Sequence, residues 1–166
     1  MDVTEALLDS WDRQCRIVSK VASLVNESNR HLKPCEDGWP LDRQLAHIHS
    51  VRHFFLKNID PDRGNAIESS FTDGWQTPIS DLDKIKALLD QSGPAARDAV
   101  ADALQKNGVQ KIGWYDNPVL YLQHMVWHEG WHVGQIFTAL RLGGQEVQEE
   151  WEEPNVWGEW RTEEWD

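Results

Sequence analysis

Residues 117–144 read NPVLYLQHMVWHEGWHVGQIFTALRLGG. Asn117 has the short polar side chain that caps a helix start, and Pro118 fits the first turn, where a missing N–H costs nothing. Gly143-Gly144 is a stop signal. Between these ends Val119, Leu122, Val126, Val133, Ile136, Phe137 and Leu140 recur at three-to-four-residue steps, the period of one helical stripe. His124, His128 and His132 ride on the same helix at i, i+4 and i+8. Each four-residue step turns a helix by about 40° and climbs about 6 Å. Adjacent members of this column can share one ion. His124 and His132, about 12 Å apart on that geometry, cannot. One helix therefore supplies a pair of ligands, and a third must come from elsewhere.

Upstream, Pro40 opens a second helix whose apolar stripe is Leu41, Leu45, Ile48, Val51 and Phe55. It ends before Asp60-Pro61, because the residue before proline avoids α geometry. This helix carries His47, His49 and His53, so six of the seven histidines lie on two helices and only His31 lies outside. On a helical wheel His47 sits within about a quarter turn of the stripe, and His49 and His53 occupy the other flank. Spacing alone favours His47 over that pair only slightly.

The remaining chain also reads as helices and loops. A first helix is expected over about 4–30, with Thr4 as its cap. Residues 60–79 form a long loop of the length a crossover connection needs. Ser80 caps a helix running to about Gln91, and Gly93-Pro94 breaks it. A further helix runs from Pro94 to about Gln105 and stops at Asn107-Gly108. Whether these two are one kinked helix or two stays open. The expected fold is an all-α bundle over 1–145, with a long crossover between helices 2 and 3. A Trp/Glu-rich tail, 146–166, carries Trp151, Trp157, Trp160 and Trp165. Tryptophan is costly to leave in water, so the tail should pack on the bundle, near the mouth of any metal site.

The 166 residues suit one domain. No apolar run approaches the roughly 20 residues that span a bilayer. The acidic, polar N-terminus does not resemble a secretory signal. The two cysteines, Cys15 and Cys35, make no framework or CxxC site, which points to a reducing cytoplasm. The net charge of −12 repels phosphate backbones, so neither nucleic acid nor an anionic membrane is expected as a partner. A small-molecule substrate is the simpler expectation.

His128-Glu129-Gly130-Trp131-His132 also spells HExxH, in which two histidines bind zinc and the glutamate is a general base. The longer HExxHxxGxxH form fails here, since Gln135 and Thr138 occupy the next marked positions. A peptidase is set aside. Metal-water hydrolysis with Glu129 as base, and a non-enzymatic, metal-stapled binding module, remain alternatives.

LAHIHSVRHFFL in the second helix, with HMVWHEGWHVGQI and ALRLGG in the last, resembles the DinB/YfiT superfamily. The resemblance covers the chain to about Gly144. It implies a four-helix bundle with a long crossover. It also implies one metal-binding histidine from the second helix and a pair from the last: His47, His128 and His132. It implies nickel or zinc, a homodimer and, in some members, thiol S-transfer with a low-molecular-weight thiol cosubstrate. Glu129 and Gln135 are then candidates for orienting a ligand imidazole.

Overall fold

Asp2 starts the first helix. Its carboxylate accepts from the Glu5 N–H at 2.8 Å while the Glu5 carboxylate accepts from the Asp2 N–H at 2.9 Å, a reciprocal capping box. The cap is therefore Asp2 and not Thr4. The helix, α1 (Val3–Ser23), also ends earlier than expected. Asn26 and Asn29 turn their side chains onto nearby backbone: Asn26 Oδ1 accepts from the Ser28 N–H at 2.9 Å, and Asn29 Nδ2 donates to the Leu24 carbonyl at 2.9 Å. Such local bonds compete with helix continuation.

The computed structural model describes residues 2–161. Five further α-helices follow: α2 (Leu41–Ile59), α3 (Pro61–Asn65), α4 (Leu82–Asn107), α5 (Pro118–Leu142) and α6 (Glu149–Glu152), then a π-helical turn, Glu153–Trp157. Isolated β-bridges join Phe71 to Pro78 and Ile112 to Tyr115, and no strand occurs among the described residues. The expected all-helical architecture is present. The short α3 was not foreseen inside the crossover.

The expected break at Gly93-Pro94 does not occur, and α4 runs through it as one helix. Pro94 removes one helical hydrogen bond. Side chains of other helices grip the backbone just before it: Trp11 Nε1 donates to the Gly93 carbonyl at 2.9 Å, and Arg52 Nη1 donates to the Leu89 carbonyl at 3.1 Å. A side chain on Gly93 would meet the Cys15 sulfur at 2.7 Å, so glycine lets α1 and α4 approach here. The cap of α4 is Asp81, whose carboxylate accepts from the Lys84 N–H at 2.9 Å, one residue beyond the expected Ser80.

Four long helices bury two apolar clusters, one at each end of the bundle. One cluster gathers Val21 from α1, Leu45 from α2, Leu89 from α4 and Ile136 from α5. The other gathers Trp11, Val51, Val100 and Met125 from the same helices. Comparing residue numbers at the two ends gives the directions: α1 and α5 run one way, α2 and α4 the other. Because the long helices α2 and α4 are parallel, the chain must return the length of the bundle between them, which residues 60–81 do.

A polar layer separates the clusters. Arg52 and Glu129 are fully buried and paired: Arg52 Nε donates to Oε1 at 2.5 Å and Nη2 to Oε2 at 2.8 Å. Gln14 Nε2 donates to the same carboxylate at 3.2 Å. Burial alone would pull the Arg52 pKa down, but the Glu129 charge holds it above the ordinary value.

The tail lies on α1 and the end of α5. Val156 is buried in the first cluster, and Trp151 sits edge-on to Phe137 at 6.4 Å. Glu159 accepts from Lys20 Nζ at 2.7 Å and Arg16 Nε at 2.9 Å. Trp157 and Trp160 remain substantially exposed, and Trp165 lies outside the described residues.

Candidate metal centre

α5 is capped as its sequence dictates: Asn117 Oδ1 accepts from the Leu120 N–H at 3.0 Å and Pro118 stands in the first turn. It buries Tyr121, Leu122, Met125, Glu129, His132, Val133, Ile136 and Leu140. His128 lies at the edge of this buried stripe, one turn before His132, and both rings turn toward α2. His47 on α2 meets them. Ring centroids are 5.1 Å apart for His47–His128, 5.0 Å for His47–His132 and 4.6 Å for His128–His132. One ring nitrogen from each lies within 4.8 Å of the others, and no other His, Cys, Asp or Glu joins them among the described residues.

The chemistry of the rings differs. His132 is buried, and its Nδ1 is hydrogen-bonded to Gln44 Oε1. Gln44 Nε2 donates to the Trp39 carbonyl at 3.4 Å and to Gln135 Oε1 at 3.0 Å. A carbonyl only accepts, so the amide nitrogen of Gln44 must face Trp39 and its oxygen must face His132. Nδ1 of His132 then carries the proton, and Nε2 keeps a free lone pair. His128 has both nitrogens buried and neither hydrogen-bonded. Leaving polar atoms so is costly unless something else binds them.

Burial, with the neighbouring histidine charges, pushes the His128 pKa down to about 3. Burial and His47 push His132 down to about 4. His47 is also lowered, by burial and then by the Arg43 charge. All three rings are thus neutral at physiological pH, the form in which histidine ligates a metal. Trp39 stacks on His132 at 6.2 Å and meets His47 edge-on at 4.9 Å. Trp75 meets His47 at 5.5 Å from a turn in which its own φ is +79°, a left-handed conformation that costs a non-glycine residue about a kilocalorie or more. The rings open on a cavity of about 410 Å³ that Trp39, Trp131, Asp37 and Gln135 also line. No described tail residue lines it, so Trp151, Trp157 and Trp160 do not take the expected place beside the mouth.

The other sequence candidates lie elsewhere. His124 is exposed and hydrogen-bonded to the Tyr115 hydroxyl at 2.7 Å, one turn outside the cluster. His49 is fully buried with its ring nitrogens 3.1 and 3.0 Å from the Leu88 and Glu68 carbonyls, and His53 contacts the Gly64 carbonyl at 3.0 Å. Glu129 neither touches a ligand imidazole nor faces solvent. Both its oxygens are engaged by Arg52 and Gln14 inside the bundle. Gln135 reaches His132 only through Gln44. Gln44 itself was missed, although a polar residue beside Leu41, Leu45 and Ile48 on an apolar stripe is a signal for a buried partner.

The sequence matches the DinB family over residues 1–157. The chain belongs to the DinB family. The match extends beyond Gly144, so this DinB chain's first tail residues, including buried Val156, are part of the family domain. No curated protein and no solved structure matches it.

Proposed function

We propose that this DinB-family protein is a metal-dependent enzyme that activates a small thiol for transfer to an electrophile. The observation that carries the reading is the His128 ring, whose two nitrogens are buried and unpartnered beside two further neutral imidazoles. His47, His128 and His132 fit a divalent transition metal, nickel or zinc in our reading, and three ligands leave a position for an exchangeable guest. Such an ion supplies Lewis acidity, lowering the pKa of a thiol or water that it binds.

The chain's own residues do the rest. Gln44 holds the His132 tautomer with Nε2 free, and Gln135 and the Trp39 carbonyl hold Gln44. Trp39 and Trp131 wall the cavity. Hydrolysis through Glu129 lacks support, because that carboxylate is committed to Arg52.

Elemental analysis of purified protein tests the centre. Wild type should carry about one equivalent of zinc or nickel and His128→Ala only a trace. Equal trace content in both would reject the metal. With metal present, consumption of an epoxide or alkyl halide should require added thiol. A rate no higher than that of the metal-free protein would reject thiol transfer.

A further inference from the structure

Eight of the nine arginines have a carboxylate partner: Arg13, Arg16, Arg30, Arg52, Arg63, Arg97, Arg141 and Arg161 each lie within ion-pairing distance of an Asp or Glu. In a chain with 28 acidic residues that is the expected state. Arg43 is the exception. Its guanidinium lies over the Trp39 ring at 4.6 Å, with no ion pair among the described residues, and its Nε is buried without a hydrogen-bond partner among them. Trp39 is the residue that packs on both His47 and His132 and lines the cavity. Arg43 stands one helical turn before His47, on the same side of α2. An unpaired, oriented cation thus sits beside the histidine cluster on an aromatic floor.

We propose that Arg43 and Trp39 form a carboxylate-binding subsite, so that the molecule taken beside the three histidines is a small organic acid. For the neighbouring centre this rests on the proposed function; for the anion it does not. The guanidinium fork matches a planar carboxylate, and stacking on an indole fixes its plane and lowers the ordering cost of each bond it makes. Asp37 also lines the cavity. Its charge opposes a dianion more than a monoanion, which favours a carboxylate over a phosphate. In the thiol reading the cosubstrate then carries its carboxylate a few bonds from its sulfur.

Calorimetric titration tests this with two matched pairs. On zinc-loaded protein the pair is 3-mercaptopropionate and neutral 3-mercaptopropan-1-ol. On metal-free protein it is 3-phenylpropionate and 3-phenylpropanamide, which need no metal. The charged member of each pair should bind wild type about tenfold tighter or more, the worth of a charge-assisted bond. Arg43→Gln should erase that preference while zinc content stays at the wild-type value, and Arg43→Lys should keep part of it. Equal affinities within both pairs on wild type, or a preference surviving Arg43→Gln, would overturn the subsite and leave a guanidinium that only packs on Trp39. Tighter binding of inorganic phosphate than of 3-phenylpropionate would overturn the choice of carboxylate. If the protein carries no metal, the metal-free pair still decides the role of Arg43, and the thiol reading falls separately.

Discussion

His128 and Glu129 are consecutive residues on α5, yet they belong to two polar clusters of opposite character. Glu129 points into the bundle, where every oxygen has a donor: two bonds from Arg52 and one from Gln14. His128 points about 100° away around the helix and has no donor or acceptor at either nitrogen. Both clusters bridge α2 and α5, but the Arg52–Glu129 layer is closed off inside the bundle while the histidine rings open on a cavity. The difference is saturation. A buried polar group with all its partners holds helices together; one without them is poised to bind something else.

The contrast predicts different failures. Glu129→Ala should be the most damaging change, because it leaves the Arg52 guanidinium buried and unpaired; the loss should be about 3–5 kcal/mol in chemical denaturation. Exchanging both partners for apolar side chains, Arg52→Met with Glu129→Leu, should recover most of that loss. A Glu129→Ala protein as stable as wild type would mean that the pair does not hold the helices. Gln44→Leu should act on the other cluster, weakening zinc binding about 10- to 100-fold in chelator competition with little change in metal-free stability. Unchanged affinity would show that His132 needs no fixed tautomer.

The gentlest probe leaves the fold intact. Cys15 sits against the saturated layer, and burial pushes its thiol pKa up to about 12, whereas Cys35 is exposed. A raised pKa means less thiolate at any given pH. Iodoacetamide at pH 8 should therefore modify Cys35 and spare Cys15 in native protein, by peptide mass mapping. Equal labelling would mean that the layer opens readily.

Much of this was legible in the sequence. The ends of α5 follow from Asn117-Pro118 and Gly143, and the histidine pair follows from helical periodicity. His47 needed the family motif, because spacing favoured it only slightly over His49 and His53. Glu129 was misread for a physical reason. The HExxH pattern draws attention to its carboxylate, and the apolar stripe skips from Val126 to Val133, so nothing local shows that a charge fills the gap. Its partner Arg52 is 77 residues away. The continuity of α4 across Gly93-Pro94 was hidden in the same way: it is held from outside, by Trp11 and Arg52.

The Arg52–Glu129 pair also fixes the angle at which α5 presents its outer residues. Two parallel bonds between a planar fork and a carboxylate tolerate little rotation of the helix about its axis. A one-residue slip would swing position 129 by about 100° and carry the rings of His128 and His132 away from His47. The dry core thereby indexes the wet face beside it, so the histidine cluster can form only when the middle of the bundle has closed in register.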